Sequence, residues 1–219
     1  MKIATWNVER FKHIRQLDEI LLACRNSRAD ILVLTETDTR IVLPYRNCLF
    51  SSPLSDNDPV YYKATERRIA IYTNYNIVGT HSTYDDKTAL CVELETERGR
   101  LSVYGTIIGI QGNRRASFIE DLNMQTDDLK RITTNIDAIC FCGDYNCSFA
   151  DNYYFTKLGR ETLLSSFAEN DLVLLTAAQS QCIDHITISS CFCSDTEPVI
   201  EEWNIDKRLS DHKGVAVSL

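Results

Sequence analysis

The chain has 219 residues, of which 44% are hydrophobic, and carries a formal net charge of -8 with a pI near 5.0. This length allows a full buried core and is typical of one large domain, so we predict a single domain over residues 1–219. The acidic balance excludes a protein that is held on nucleic acid by its overall field, because such binding requires many lysines and arginines. A local basic rim would still be compatible with nucleic acid.

The cysteine content favours a reducing compartment. There are nine cysteines, and the first residues lack the basic and apolar segments of a secretory signal, so we expect a cytoplasmic protein. The Cys-Phe-Cys segments at 140–142 and 191–193 do not have zinc spacing, and both alternate like strands, which predicts thiols packed on one face in the core. No apolar run approaches the ~20 residues of a membrane span.

The first part of the chain predicts a strand, a helix and a second strand. Residues 2–6 have strand character, the apolar residues from Ile14 to Cys24 recur at helical spacing, and residues 30–34 form a continuous apolar strand. This order predicts a parallel pair of strands. Residues 37–59 are rich in turn formers and predict an irregular loop around a short strand at 48–51.

The rest of the chain predicts a meander followed by alternating helices and strands. An antiparallel meander is expected from strands at 68–73, 76–80, 88–96 and 101–108, with a hairpin turn at 97–100. Helices are expected at 114–135 and 159–170, and further strands at 138–142, 172–175, 183–189 and 214–219. This mixed order predicts an α/β protein with two sheets packed face to face and helices outside.

Five polar clusters adjoin predicted strands, and we expect them to form one site. They are residues 6–9, 34–37, 143–146, 183–185 and 210–212. Crowded carboxylates repel one another and lose hydration, so a fold that gathers them requires a cation. Oxygen ligands without a thiolate suit Mg²⁺ or Mn²⁺. The pattern therefore predicts metal-dependent phosphate chemistry.

The cluster at 143–146 carries two candidate catalytic groups. Gly143 permits a sharp exit from the strand, which aims Asp144 and Asn146 at a common point. A carboxylate can orient or deprotonate a water, and an amide can donate to a phosphate oxygen. Taken alone, the tetrapeptide is equally typical of a Gly-Asp turn followed by an Asx turn.

The last cluster supplies a candidate histidine. His212 would need a carboxylate on its ring to be oriented and made basic, and Asp184 is the natural partner, whereas His185 should face the other way along its strand. The triplet at 210–212 is by itself also typical of a helix cap or a surface turn.

Near the N-terminus, three further groups can face the metal. Asn7 and Glu9 are two residues apart and share a side, and Glu36 ends a buried strand, where a charged residue is either solvated at the rim or a ligand in a cleft.

In order and spacing, these residues resemble the endonuclease/exonuclease/phosphatase superfamily of metal-dependent phosphoesterases. The matching series is Asn7, Glu36, Asp144 with Asn146, Asp184, and Asp211 with His212. The resemblance covers nearly the whole chain. It implies a four-layer α/β sandwich in which two mixed β-sheets pack face to face and are flanked by helices. It also implies hydrolysis of a phosphoester by in-line attack of water, with Mg²⁺ or Mn²⁺ as cofactor.

The resemblance also implies a role for each residue. At the metal it places Glu36 as the main ligand, Asn7 beside it, and Asp211 as a ligand or a group of the surrounding network. Glu9 is not part of the matching series, and its spacing from Asn7 predicts an acid in the outer surroundings of the metal. In catalysis it gives water activation to Asp144, phosphate positioning to Asn146, orientation of the histidine to Asp184, and stabilisation of the pentacovalent phosphate to His212.

Tyr104 has two interpretations. It stands where abasic-site nucleases of the family carry a tyrosine that contacts phosphate, but the proline and asparagine that usually follow are missing. It is therefore either a catalytic phosphate contact or a residue of the strand core.

Basic residues suggest where a substrate binds. Asn113, Arg114 and Arg115 follow the Tyr104 strand and either contact a phosphate backbone or carry solvated charge. We interpret Arg67 and Arg68 as solvated surface charge.

Three functions fit the sequence. The leading one is a phosphodiesterase acting on DNA or RNA, and the alternative is a phosphatase of small phosphorylated molecules or phosphoinositides. A catalytically silent binding module is the third, and the complete set of site residues counts against it. Abasic-site repair is the weaker nuclease hypothesis because residues 179–182 lack the aromatic side chains that hold an extrahelical nucleotide. No obligate protein partner is inferred.

Overall fold

Twelve strands and three helices occur in the residues that the computed structural model describes, which are 1–56, 58–193 and 197–219. The first six strands are β1 (Lys2–Asn7), β2 (Ile31–Asp38), β3 (Asn47–Phe50), β4 (Glu66–Thr73), β5 (Asn76–His81) and β6 (Ala89–Thr96). The other six are β7 (Gly99–Ile107), β8 (Ile139–Asp144), β9 (Leu172–Leu174), β10 (Asp184–Ser189), β11 (Val199–Trp203) and β12 (Gly214–Ser218). The helices are α1 (Leu17–Asn26), α2 (Ala116–Thr133) and α3 (Lys157–Glu169).

The strands form two mixed six-stranded sheets. The first has the order β11-β12-β1-β2-β4-β3 and the second β5-β6-β7-β8-β10-β9. One apolar cluster, which includes Val33 and Ile69 of the first sheet and Val103 and Cys140 of the second, fills the space between them. The two sheets therefore pack face to face through their inner surfaces.

The helices cover the outer faces and complete four layers. Ile20 and Cys24 of α1 pack with Leu32 and Leu34 of the first sheet. Leu129 of α2 and Leu163 of α3 pack with Tyr104 and Phe141 of the second sheet. These apolar residues recur at helical spacing, which is why each helix buries one stripe. The predicted four-layer sandwich is confirmed.

Parallel pairs place strand ends at one edge. β1 and β2 are parallel, as the strand–helix–strand order predicts, and so are β7 and β8, which are joined through α2. Because parallel strands end at the same edge of a sheet, Asn7 comes beside Thr35 and Ile107 beside Asp144. The polar clusters that follow these strands are thereby brought together.

One prediction about the strands is wrong, and one strand was missed. The meander contains β5, β6 and β7, but β4 belongs to the other sheet, where it pairs with β2 and β3. The chain crosses between the sheets just after Thr73, a step that strand periodicity does not reveal. β11 was not predicted because it is an edge strand with little buried apolar surface, as Val199 with its 60% exposure illustrates.

The cysteines divide into two groups. Cys140 and Cys142 lie in the core between the sheets, as predicted. The second Cys-Phe-Cys segment is not a strand, because residues 190–192 form a helical turn that leaves Cys191 exposed and Cys193 half-buried. All nine cysteines are unpaired. Within the described residues, no helix has the length and apolar character to cross a membrane.

Candidate active site

Asn7 joins the two sheets at the common edge. Its Nδ2 donates to Oε1 of Glu36 at 3.3 Å and to Oδ2 of Asp144 at 3.1 Å, and the residue is fully buried. Glu36 belongs to the first sheet and Asp144 to the second. A single amide thus contacts one carboxylate from each sheet, and the structure brings together these three predicted residues.

Three predicted site residues have left-handed backbone conformations. Glu9 has φ 49°, Glu36, near the end of β2, has φ 44°, and Asn146 has φ 48°. Such a conformation costs about 1–3 kcal/mol for a residue other than glycine and persists only where the surrounding structure enforces it. Left-handed residues of this kind cluster at functional sites in proteins.

Asp184 orients His212. The two carboxylates Asp144 and Asp184 lie directly opposite each other on β8 and β10. His212 Nδ1 is 2.6 Å from Oδ2 of Asp184, while its Nε2 is 4.0 Å from Oδ2 of Asp144 and 3.5 Å from Oδ1 of Asp211. The imidazole therefore has one nitrogen fixed and the other directed at the carboxylates of the site.

Buried charges shift the pKa values of this group. Burial alone would lower the pKa of His212, but the charges of Asp184 and Asp144 outweigh it and raise the pKa to about 10. Burial raises the pKa of Asp144 to about 7; the cationic His212 opposes this shift, and the carboxylates of Asp184 and Glu36 add to it. The site therefore has more negative charge than the imidazolium can neutralise.

The loop that carries His212 is fastened to β1 and its surroundings. Ser210 Oγ donates to the carbonyl of Asn7 at 2.6 Å and accepts from the backbone N–H of His212 at 3.2 Å. The indole Nε1 of Trp6 donates to the carbonyl of His212 at 3.1 Å, and its ring packs edge-on against Trp203, with centroids 5.9 Å apart. The supporting roles of Ser210 and Trp6 were not predicted, although both residues lie inside the polar clusters.

Glu9 is a support for this loop and not an open ligand. Its Oε1 accepts from Lys12 at 2.6 Å, and its Oε2 contacts His13 Nε2 at 3.1 Å and accepts from the backbone N–H of Asp211 at 2.8 Å. Burial alone would raise the pKa of Glu9, but these donors lower it overall. Both oxygens are engaged, so the structure does not bring Glu9 to the metal as a direct ligand, and its place is behind Asp211.

The amide of Asn146 is turned towards the loop after β7. Its Nδ2 donates to the carbonyls of Ile108 at 3.0 Å and Gly109 at 3.3 Å, and its backbone N–H donates to Oδ1 of Asp144 at 2.9 Å. Asn113 donates through Nδ2 to the carbonyl of Asn146 at 2.9 Å and is 2% exposed. Asn113 therefore braces Asn146, which corrects its predicted contact with substrate.

Tyr104 lies outside the site. Its side chain is fully buried beneath α2, where its hydroxyl donates to Asp128 at 2.8 Å and its ring packs on Phe141. Side chains alternate along β7, so Tyr104 faces the helices while Ile107, opposite Asp144, faces the cavity. The catalytic interpretation of Tyr104 was wrong, and the strand-core interpretation is the one that its position supports.

The donor set fits a divalent cation. Carboxylate oxygens of Asp144 and Asp184 and a ring nitrogen of His212 lie within 4.8 Å of one another. Because His212 is cationic, the carboxylates are the metal ligands that this cluster offers. Oδ1 of Asp184 is buried and has no hydrogen-bond partner among the described residues. The side chain of Asp211 is 67% exposed at the mouth of the site. An orphaned carboxylate oxygen and surplus negative charge are the features that a hard cation would satisfy.

A cavity of about 800 Å³ opens beside Glu36. Its walls include four basic side chains, which are Arg10, Lys12, Arg67 and Arg68. Arg67 and Arg68 were interpreted as solvated charge, but they line this cavity. Arg114 and Arg115 are exposed and are not among its lining residues, so their contact with substrate stays a prediction.

Solved structures share this fold. The 3' phosphatase NExo from Neisseria, bound to a product DNA hairpin, matches with a TM-score of 0.72 and 15% identity over 100% of this chain and 99% of that chain. An AP endonuclease from Archaeoglobus fulgidus matches with a TM-score of 0.68 and 14% identity, over 100% of this chain and 99% of that chain. A humanized D. rerio TDP2 matches with a TM-score of 0.67 and 12% identity, over 99% of this chain and 97% of that chain. At these identities the likeness shows the fold.

The sequence itself assigns the family. No curated protein matches the chain. The sequence model described as the endonuclease/exonuclease/phosphatase family matches residues 4–212, which include every polar cluster of the site. With its fold, its site and this match in agreement, the chain belongs to the endonuclease/exonuclease/phosphatase family.

Proposed function

We propose that this protein is a divalent-metal-dependent phosphodiesterase that cleaves DNA or RNA. The observation that carries the proposal is the convergence of Asp144, Asp184 and His212, whose carboxylate oxygens and ring nitrogen lie within 4.8 Å of one another. Glu36 lies beside them and is connected to Asp144 by the hydrogen bonds of the Asn7 side chain. Four basic side chains on the wall of the adjoining cavity, which are Arg10, Lys12, Arg67 and Arg68, offer hydrogen-bond donors to a phosphate group of the substrate. The structures of relatives that act on DNA support nucleic acid as the substrate class.

Glu36 and Asn7 are the proposed metal-side residues, with Asp211 at the rim. A bound Mg²⁺ or Mn²⁺ supplies Lewis-acid polarisation of the phosphoryl oxygen. Asp144, with a pKa raised to about 7, accepts a proton from the attacking water at neutral pH. Its Oδ1 accepts from the backbone N–H of Asn146, which fixes the direction of the carboxylate.

His212 holds a proton at Nε2 and stabilises the negative charge that develops on the phosphate. Asp184 fixes the ring through Nδ1, so the cation is oriented before the substrate arrives. Asn146 is proposed to position the phosphate indirectly, because its side-chain amide donates to the carbonyls of Ile108 and Gly109 while its backbone N–H holds Asp144. The proposed compartment is the cytoplasm, which the nine unpaired cysteines support.

The test compares substrates. The purified protein is assayed with Mg²⁺ or Mn²⁺ on plasmid DNA, on single-stranded DNA and RNA oligonucleotides, and on panels of phosphomonoesters and phosphoinositides. We expect metal-dependent cleavage of the polynucleotides that is lost in Asp144→Ala and kept in Asp206→Ala, which removes an exposed acid. Turnover of the monoesters or phosphoinositides alone would establish the phosphatase instead.

A further inference from the structure

We propose that the cavity beside Glu36 is a nucleobase-binding subsite in which a base of the substrate stacks on Tyr61. The inference depends on the proposed nucleic-acid substrate and adds to it the residues that recognise the base. The cavity volume of about 800 Å³ falls within the ~300–1,000 Å³ typical of small-ligand pockets. Because Glu36 lines the cavity, a nucleotide bound there adjoins the proposed metal ligand.

Tyr61 and Tyr62 form an aromatic platform on the cavity wall. Their rings meet edge-to-face with centroids 4.8 Å apart, and both line the cavity. Tyr61 is 64% exposed, and its neighbour Val60 is 97% exposed. An aromatic side chain that projects from a loop beside a catalytic site offers a free face to a planar partner.

Arg10 holds this platform in place. Its guanidinium lies 5.0 Å from the ring centroid of Tyr61 and 4.8 Å from that of Tyr62. Its Nη2 is also 3.7 Å from Oε2 of Glu66, a side chain that is 4% exposed. A platform that is fixed before binding loses less conformational entropy when a base stacks on it.

Arg68 supplies a polar contact for the same ligand. It lines the cavity, its Nη1 contacts Thr88 and Asp85, and its buried Nε has no hydrogen-bond partner among the described residues. A guanidinium on the cavity wall is a favoured donor for a phosphate oxygen of the ligand.

The charges of the cavity favour a nucleotide over an anionic surface. Its four basic residues are balanced by four acids, which are Glu36, Asp58, Asp85 and Asp121. A balanced, walled cavity gives little attraction to a sheet of lipid phosphates. A nucleotide, which combines an uncharged base with a single phosphate group, matches the charges of this cavity better than a lipid surface does.

Binding measured without turnover tests the subsite. Adenosine 5'-monophosphate and ribose 5-phosphate are titrated calorimetrically into the metal-free protein. Stacking is worth about 1–3 kcal/mol per base, so the nucleotide should bind about 5- to 150-fold more tightly. Tyr61→Ala should bring the two affinities within about twofold, and Tyr61→Phe should keep the difference. Tyr153→Ala is the matched control, because Tyr153 is also exposed and lies beneath a cation, Lys207, outside the cavity.

The outcomes separate this inference from the proposed function. Equal affinities in the wild type, or a difference that survives Tyr61→Ala, would overturn the subsite even if polynucleotides are cleaved. A base-dependent difference in a protein that cleaves no polynucleotide would keep the subsite and remove the proposed function. Tyr61-dependent binding to phosphatidylserine vesicles, with no preference for the nucleotide, would assign the loop to membranes and also overturn the inference.

Discussion

At the scale of single residues, the chemistry depends on how His212 is held. The Nδ1 contact with Asp184 leaves Nε2 free to face Asp144 and Asp211. Asp184 also provides charge that keeps the imidazole protonated. Orientation and protonation therefore come from the same carboxylate.

Asp184→Asn should impair the enzyme through His212. Without the negative charge, the pKa of His212 should fall and kcat should drop by about 100-fold, an effect typical of losing the partner of a functional histidine. An NMR titration of the imidazole, run with the kinetics, checks both effects. Asp206→Asn is the control, and an unchanged His212 pKa in Asp184→Asn would contradict the proposed role.

His185 should make the protein sensitive to acid. It is fully buried, with contacts to Thr176 and the carbonyls of Cys147 and Cys182. Burial lowers its pKa from 6.5 to about 4. The unfolded chain therefore binds more protons between these values, and stability is lost as the pH falls through this window.

The expected loss from His185 is on the order of 2 kcal/mol between pH 7 and pH 4.5. Urea unfolding of the wild type and His185→Gln at both pH values measures it. The variant should lose less stability on acidification than the wild type does. Equal losses in the two proteins would show that His185 does not contribute.

At the scale of elements, β7 and β8 approach so closely that only glycine fits at position 143. A Cβ added there would lie 2.0 Å from the carbonyl oxygen of Thr106, and the residue has φ 142°. Gly99, the first residue of β7, also has a positive φ, 109°, but has no neighbour within 4 Å of an added Cβ. The two positions therefore separate backbone strain from crowding.

Gly143→Ala should destabilise the protein far more than Gly99→Ala does. We expect about 1–2 kcal/mol for position 99 from backbone strain, and at least about 3 kcal/mol for position 143, where β7 or β8 must also move. Chemical denaturation of both variants measures the difference. Equal costs would mean that the strands adjust without strain.

Helices and strands that bury much apolar surface could be predicted from the sequence. Strands that bury little apolar surface could not be predicted. β1, β2, β8 and α2 all have clear apolar periodicity and were located to within a few residues. β11 is exposed at the sheet edge and has no such signal. The sheet to which β4 belongs is decided by long-range packing, which the sequence near β4 does not encode.

For the candidate site, the convergence of the polar residues could be predicted from the sequence, but the surroundings of the site could not. Asn7, Glu36, Asp144, Asp184 and His212 converge because polar groups after buried strands meet at one edge. Tyr104 was misjudged because a sequence does not show which face of a strand reaches the cavity. The platform at Tyr61 and Tyr62 was missed because it lies in an irregular loop without periodicity.

At the scale of the whole molecule, the two sheets each supply part of the site. Asn7 and Glu36 come from the first sheet, and Asp144 and Asp184 come from the second. The site therefore exists only while the sheets are packed together. A ligand that binds across this boundary must stabilise the packed state against unfolding.

Mg²⁺ should therefore raise the melting temperature. At 100 times its dissociation constant, a single bound ion adds about 2.7 kcal/mol to the free energy of unfolding. Thermal unfolding with Mg²⁺ and with EDTA measures this effect, which Glu36→Gln should remove. Glu120→Gln changes an exposed acid on α2 and should leave it intact. A Mg²⁺ effect of full size in Glu36→Gln would argue against the proposed ligand.

The pairing of Trp6 with Trp203 provides a natural optical probe. These are the chain's two tryptophans, and Trp6 also donates to the carbonyl of His212. Tryptophan fluorescence therefore originates entirely from two side chains that lie beside the loop carrying His212. Occupancy of the centre should be visible in the unlabelled enzyme as a change in that emission, so stopped-flow mixing can time ligand arrival without an attached dye.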